Sequence, residues 1–167
     1  MSNAEYLTAV RLRLGAKHVD TPFACQSCGR AVFDSCATHA LCCAPGVATR
    51  GHHDVRDELL DFVRLVDATA EPEVLGLVAS APGVRPADIL TSALASGLDT
   101  ALDVGVASPF AQGAGEDCAE TYRRRKLARY APFAPQLADE GVVYRPLIWT
   151  SFGREHAETS SALLRIA

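Results

Sequence analysis

The chain has 167 residues, of which 49% are hydrophobic and 22% charged, and its mean hydropathy is +0.08. This size suits one domain with at most a small appendage, and the composition excludes an intrinsically disordered chain. No stretch approaches the roughly 18 apolar residues of a membrane span, and no signal peptide is apparent, so we expect a soluble intracellular protein without a membrane partner. The net charge of −4 argues against bulk attraction to nucleic acid.

The hydrophobic pattern predicts helices and strands in a definite order. A short helix near 6–14 precedes a loop region over 25–51, and a helix follows over 54–67, where apolar residues recur at three- and four-residue spacing. Three β-like runs cover 74–78, 84–91 and 100–107. A helix over 116–130, a helical piece at 136–140, a strand over 142–149 and a helix over 155–166 complete the chain. The predicted fold class is α/β, with an α-β-β-β-α-β core.

Five of the six cysteines fall between positions 25 and 43. A C-x2-C pair followed by H-x3-C supplies four ligands for a tetrahedral structural zinc ion. The predicted ligands are Cys25, Cys28, His39 and Cys43. The cluster is therefore interpreted as a metal-held module.

Other readings of the cysteine cluster stay open. Cys42 competes with Cys43 for the last ligand position, and His52 or His53 could replace either one. We take Cys36 and Cys118 as non-ligands. Alternatively, all of the thiols are buried, reduced and packed as small hydrophobic groups.

Two aspartates mark a second candidate site. Asp88 opens one β-like run and Asp103 lies inside the next, so a turn near Ala95 and Ser96 would place them opposite each other. Directly opposed side chains have Cβ atoms about 4.5–5.5 Å apart, and two carboxylates so close repel unless a cation lies between them. Mg²⁺ suits such a pair and can activate water against a phosphodiester. Two ordinary surface aspartates are the alternative.

The predicted helix over 116–130 carries a basic segment. Five of the 16 basic residues lie between 122 and 130, a segment without an acid. Helical spacing places Tyr122, Lys126, Arg129 and Tyr130 on one face, whereas Arg124 and Arg125 point elsewhere and could meet phosphates. An ordinary solvated helix face is the alternative interpretation.

Taken in order, these residues resemble the restriction-like endonuclease of non-LTR retrotransposons, a PD-(D/E)XK nuclease preceded by a CCHC zinc knuckle. The resemblance runs from about 25 to 153. It rests on the cysteine and histidine spacing, on His53 as the histidine of an RHN segment, on R-P-A-D at 85–88, on Asp103, and on K-x2-R-Y at 126–130. The chain departs from the family pattern at His52, Asp54 and Arg129, which stand where arginine, asparagine and lysine are expected.

The resemblance implies Mg²⁺- or Mn²⁺-dependent cleavage of target DNA, whose free 3′ end primes reverse transcription. Asp88 and Asp103 would hold the metal. Lys126 would orient the attacking water, in place of the lysine that related enzymes carry at the position of Gly105. His53 would have a structural or supporting role. The implied DNA contacts are Arg85, Arg123, Arg124, Arg125, Arg129 and Tyr130.

The same resemblance implies a division of the chain into a knuckle module, 1–51, and a nuclease core, 52–167. A reverse transcriptase domain or its RNA would be supplied elsewhere, and the location would be nuclear or otherwise intracellular. Two other classes of function remain open. One is a zinc-containing DNA-binding module without catalysis, and the other is a protein-interaction zinc module on an α/β scaffold.

Overall fold

A four-stranded sheet lies at the centre of the computed structural model, which describes residues 2–29, 32–43, 47–95 and 97–167, with the backbone alone at 47–50. The strands follow the chain order, and the sheet is mixed because its last two strands are parallel and the other pairs antiparallel. They are β3 (Glu71–Pro72), β4 (Ile89–Ala95), β5 (Leu98–Ala107) and β6 (Val142–Thr150). The predicted α/β class is confirmed.

Helices cover both faces of this sheet. On one face, α2 (Val47–Arg64) and α5 (Ala157–Ile166) enclose a core that includes the buried side chains of Ile89, Leu102 and Leu147. On the other face lie α3 (Cys118–Tyr130) and α4 (Ala134–Asp139), joined by a 3₁₀ turn over Ala131–Phe133. These elements form the crossover that two parallel strands require.

The N-terminal part of the chain is built differently. It holds α1 (Asn3–Arg13), a hairpin of β1 (Phe23–Ala24) and β2 (Val32–Phe33), and a 3₁₀ turn over Thr38–Leu41. Among the described residues before position 47, only Cys25, Ala37 and Cys43 are buried. This module therefore lacks a hydrophobic core of ordinary size.

Several predicted elements differ from the observed ones. The run 74–78 is not a strand, because Glu73 and Gly76 adopt left-handed conformations (φ 50° and 79°) that interrupt extended backbone. The run 84–91 becomes a strand only at Ile89, after Pro86, which cannot donate a ladder hydrogen bond. The hairpin turns between Ala95 and Leu98, and Ser96 itself lies outside the described residues.

The observed helix α2 begins seven residues before the predicted start at 54 and ends three residues before the predicted end at 67. The predicted boundary between 51 and 52 falls inside this helix, and 44–46 of the predicted loop lie outside the described residues.

In the part of the chain that the structure describes, no helix has the length and apolar character needed to cross a membrane.

Asp67, three residues after the end of α2, anchors that end of the helix to β4. Its carboxylate accepts hydrogen bonds from the Thr69 and Thr91 hydroxyls, both at 2.6 Å, and from the Ser92 N–H at 2.8 Å. Asp67 is buried, and the hydrogen bonds from Thr69 and Thr91 hold the pKa of its carboxyl well below its usual range. The folded protein therefore favours the ionised form.

Replacing Asp67 with alanine should lower the free energy of unfolding by about 3 kcal/mol, because the buried donors lose a charged acceptor. A group whose pKa is lowered on folding stabilises the protein above its unfolded pKa and loses that effect as pH falls. The loss in free energy of unfolding should therefore be complete above about pH 5 and shrink below about pH 4. Urea unfolding of the wild type and the variant across this pH range measures this difference. Asp61→Ala, which removes an exposed carboxylate from α2, is the matched control. Equal stability of the two variants would contradict the anchoring role.

Candidate active site and metal centre

Asp88 and Asp103 lie opposite each other at the start of the β4–β5 hairpin. Ile89 pairs with Leu102, so the register continued by one residue brings Asp88 beside Asp103. The Asp88 N–H donates to the Leu102 carbonyl at 2.8 Å, which extends the ladder to this position. Side chains at opposed positions project from the same face of a sheet, here the face that α3 covers. The structure therefore brings together the two carboxylates that the sequence pattern singled out.

Asp103 is buried and has two side-chain partners. The Lys126 Nζ donates to Asp103 Oδ1 at 2.6 Å and to the Val104 carbonyl at 2.9 Å, while the Tyr144 hydroxyl donates to Asp103 Oδ2. Burial raises the pKa of the Asp103 carboxyl above its usual value, and the charge of Asp88 adds to this, although Lys126 and Tyr144 oppose both effects. Asp103 is thus held between an ammonium group and a phenolic hydroxyl group.

Asp88 is held in a different environment. Its Oδ2 accepts the Val104 N–H at 2.7 Å, and its Oδ1 lies 3.2 Å from His52 Nε2. Burial alone would raise the pKa of the Asp88 carboxyl, but His52 and the Val104 N–H outweigh burial and leave the pKa below its usual value. The two neighbouring carboxylates thus have pKa values shifted in opposite directions, which is common at catalytic sites.

The histidine beside the carboxylates is His52, and not the predicted His53. His53 is exposed, and its ring centre lies 5.8 Å from that of His52. His52 precedes Val55 and Leu59 by three and seven residues, which places it on the core-facing side of α2. This periodicity could have identified His52 if the helix had been predicted to begin at 47.

Two tyrosines complete the site. The rings of Tyr130 and Tyr144 pack with centroids 4.6 Å apart, and the Tyr130 hydroxyl donates to the Arg85 carbonyl at 2.8 Å. Tyr130 is only 6% exposed, so the structure places this predicted DNA contact inside the wall of the site. Tyr144 was not predicted. The sequence marks 142–149 only as a strand, and this assignment cannot reveal a partner 41 residues away.

Gly105 explains how Lys126 reaches the carboxylates. A Cβ atom at position 105 would lie 2.6 Å from Tyr122 Cε1 and 2.8 Å from Lys126 Cε, closer than real contacts allow. The space above this strand residue is therefore filled by the side chains of α3. The Lys126 side chain passes over Gly105 and reaches Asp103.

Replacing Gly105 with alanine should displace Lys126 or Tyr122 and cost about 1–3 kcal/mol of stability by overpacking. If Lys126 acts at the carboxylates, Mg²⁺-dependent DNA nicking should fall about a hundredfold because the ammonium group is moved. Thermal unfolding and a plasmid-nicking assay measure the two effects. Gly83→Ala, at a position where a Cβ meets no atom within 4 Å, is the control. A Gly105→Ala protein with unchanged stability would show that the site is not filled as described.

The arginines of α3 have different surroundings. Arg123 and Arg124 form ion pairs with Glu120, one turn earlier on the same helix, and Arg123 also pairs with Glu158. By contrast, Arg125 donates to the Gly113 carbonyl at 2.6 Å, and Arg129 lies over the Tyr130 ring. Arg85 is exposed and lies 3.4 Å from Glu73. DNA contacts by these side chains stay a prediction. The ion pairs with Glu120 and Glu158 make Arg123 the arginine least available for such a contact.

The cysteine and histidine residues of the N-terminal module form one cluster. The ligand atoms of Cys25, Cys28, His39 and Cys43 all lie within 4.8 Å of one another. Cys25 Sγ lies 3.7 Å from Cys43 Sγ, and Cys28 Sγ lies 3.4 Å from His39 Nε2. These four residues can hold a metal ion such as zinc.

The structure distinguishes among the other ligand candidates. Cys42 Sγ faces the carbonyl oxygens of Thr38 and His39, so it is Cys43 that joins the cluster. His52 lies beside Asp88 instead. Cys118 is the first residue of α3 and is buried, and its thiol faces the Ala107 carbonyl.

Asp34, which was not predicted, organises the loop that presents His39. Its carboxylate accepts the N–H groups of Cys36, Thr38 and His39 at 2.9, 3.3 and 3.2 Å. The Thr38 hydroxyl also donates to it, and these bonds lower the pKa of Asp34 to about 2. An aspartate that bonds N–H groups two to five residues later is typical of a turn, and D-S-C-A-T was a usable signal.

The thiols in the cluster differ in acidity. The backbone N–H of Cys28 lowers the pKa of Cys25 to about 7, whereas burial and the neighbouring thiols raise the pKa of Cys43 to about 11. A bound cation would favour the thiolate form at both positions.

The structure thus holds two separate sets of functional groups, one of carboxylates with a lysine and a histidine, and one of thiols with a histidine. The first has hard oxygen donors, and the second has soft sulfur donors.

Comparison of the chain with protein-family models, curated proteins and solved structures found no match.

Proposed function

We propose that this protein is a metal-dependent DNA endonuclease of the restriction-like type found in non-LTR retrotransposons. The observation that carries the proposal is the cluster of Asp88, Asp103 and Lys126, with the ammonium nitrogen 2.6 Å from the Asp103 carboxylate. Two opposed carboxylates can hold a divalent cation, and a nearby cationic donor can stabilise the charge that develops on a phosphodiester during hydrolysis.

The two carboxylates fit a hard divalent cation. An ionised carboxylate offers about four lone-pair sites, and Asp88 and Asp103 each have two of theirs engaged by protein donors. Asp88 and Asp103 would therefore hold Mg²⁺ or Mn²⁺ through their remaining lone pairs. When bound, the ion supplies charge stabilisation and a more acidic water.

Lys126 and His52 provide the remaining polar groups. The Lys126 ammonium, already fixed by Asp103 and the Val104 carbonyl, orients a water and stabilises negative charge on the phosphate oxygens. His52 Nε2 fixes the orientation of Asp88. Tyr144 holds Asp103 in place through its hydroxyl.

The N-terminal module has a structural role in this proposal. We assign zinc to Cys25, Cys28, His39 and Cys43, because four ligands leave no open position for catalysis. DNA is the partner, with Arg125 and Arg129 as the α3 arginines that have no acidic partner among the described residues. A polymerase domain or its RNA would be supplied by another part of the chain or by a separate molecule.

A supercoiled-plasmid assay tests the proposal. Freshly purified protein should convert the plasmid to a nicked or linear form when Mg²⁺ or Mn²⁺ is present, and should leave it intact when neither ion is added. The second candidate function, DNA binding without catalysis, is favoured by the exposed Arg124 and Arg125. Retention of DNA at low salt without cleavage under any divalent ion would decide for that candidate.

A further inference from the structure

A cavity lies beside the carboxylate cluster, between the N-terminal module and α3. Its volume is about 750 Å³, within the range of roughly 300–1,000 Å³ that is common for ligand pockets. One wall is formed by residues 40–43 of the metal-binding module, and another by Tyr122 and its neighbours on α3. The catalytic proposal does not use this space.

The cavity adjoins the proposed active site through two residues. His52 contacts Asp88 and also lines the cavity, and Gly105, two residues after Asp103 on β5, lines it as well. Two residues of a strand span about 7 Å. A DNA strand whose phosphate lies at the carboxylates therefore has an adjacent nucleotide within reach of the cavity.

The surface of the cavity favours a nucleobase with an attached phosphate. Among the described residues that line it there is no aspartate or glutamate, although the chain has 20 acidic residues. Its walls are mostly small or apolar, with two aromatic rings, those of His52 and Tyr122, and with hydroxyl groups on Ser108, Thr121 and Tyr122. Nucleobases bind against aromatic and apolar surfaces, because every base has a π-face that can stack.

Arg125 supplies the positive charge of the cavity. Its guanidinium bonds the Gly113 carbonyl and has no ion pair within the described ranges, whereas Arg123 and Arg124 pair with Glu120. A guanidinium has five N–H donors, so Arg125 can hold this loop and still bind a phosphate.

We propose that this cavity receives one unpaired nucleotide of DNA next to the scissile phosphate, so that the enzyme prefers DNA that is locally unpaired at its cutting site. The proposal rests on the proposed endonuclease function. Burial of a base in the cavity offsets the free energy needed to hold that base outside the helix. A nucleotide that is already unpaired avoids this cost and binds more tightly.

Ala111→Trp tests the proposal, because Ala111 lines the cavity from the loop after β5 and a tryptophan there would fill it. Gln112→Trp, at the adjacent exposed position, is the matched control. Affinities are measured by fluorescence anisotropy in Ca²⁺ for two duplexes, one fully paired and one with a single unpaired nucleotide. A third duplex carries an unpaired abasic site.

The wild-type protein should bind the duplex with the unpaired nucleotide about tenfold more tightly than the paired duplex, from stacking of one base. Ala111→Trp should reduce this ratio to about one without weakening binding to paired DNA, Gln112→Trp should retain it, and the abasic duplex should bind like the paired one. A wild-type ratio near one, or a ratio that Ala111→Trp leaves unchanged, would overturn the proposal.

The plasmid assay separates the two proposals. Nicking without a preference for the unpaired nucleotide defeats this inference alone. Preferential binding without nicking supports the nucleotide site and defeats the endonuclease function. Absence of DNA binding defeats both.

Discussion

Replacing Asp103 with asparagine should reduce Mg²⁺-dependent nicking about a thousandfold. The substitution removes one of the two charges that would hold the cation, and interactions of this kind are worth several kcal/mol in the transition state. It also leaves the Lys126 ammonium, which is only 14% exposed, without its ion-pair partner. The lysine would then lose the position from which it orients water.

The expected loss of activity has to be distinguished from a loss of folding. Asp103→Asn should retain the zinc content and the far-UV circular dichroism of the wild type, with a lowered thermal midpoint because a buried ion pair is broken. Asp99→Asn is the matched control, since Asp99 lies on the same strand and is exposed. That variant should nick at the wild-type rate. Undiminished nicking by Asp103→Asn would remove this carboxylate from the mechanism.

The carboxylate pair could be predicted because its geometry is local. A hairpin between β4 and β5 needs only a turn near 95 to place Asp88 opposite Asp103, and this turn is visible in the sequence. The ligand set of the metal centre was also local, although spacing alone could not decide between Cys42 and Cys43. That choice depends on where each thiol points at the end of the Thr38–Leu41 turn.

The unpredicted parts of the site come from tertiary contacts. Tyr144 reaches Asp103 because β6 pairs with β5 in parallel, a pairing that depends on the whole crossover through α3 and α4. The resemblance to the nuclease family points to His53, because it places His52 where the family has arginine. Only the position of α2 against the sheet shows which ring faces Asp88.

The second large effect is expected at the metal centre. Zinc should be present at one ion per chain, and its removal should unfold the N-terminal module, because only Cys25, Ala37 and Cys43 are buried among the described residues before position 47. A module without a hydrophobic core depends on its metal for folding, and zinc contributes about 10–16 kcal/mol in comparable small domains.

The effect on each part of the chain can be measured separately. Chelation, or Cys25→Ser, should remove zinc and abolish amide-exchange protection over 23–43, while the protection of β5 persists because its core is formed by α2 and α5. Cys42→Ser should retain the metal, since its thiol faces backbone carbonyls. Zinc affinity should fall as pH falls, because protons compete with the metal for the thiolates. A protected 23–43 segment in zinc-free protein would contradict this assignment.

Removal of the metal also distinguishes the proposed endonuclease function from the proposed nucleotide site. Residues 40–43 form one wall of the cavity beside α3, but they have no contact with Asp88, Asp103 or Lys126 among the hydrogen bonds and ion pairs of the described residues. Zinc removal should therefore abolish the preference for an unpaired nucleotide while nicking of paired DNA continues. If both effects disappeared together, the module would also support the carboxylate cluster. Because Mg²⁺ and zinc have different ligands here, a zinc-selective chelator in excess Mg²⁺ separates these outcomes.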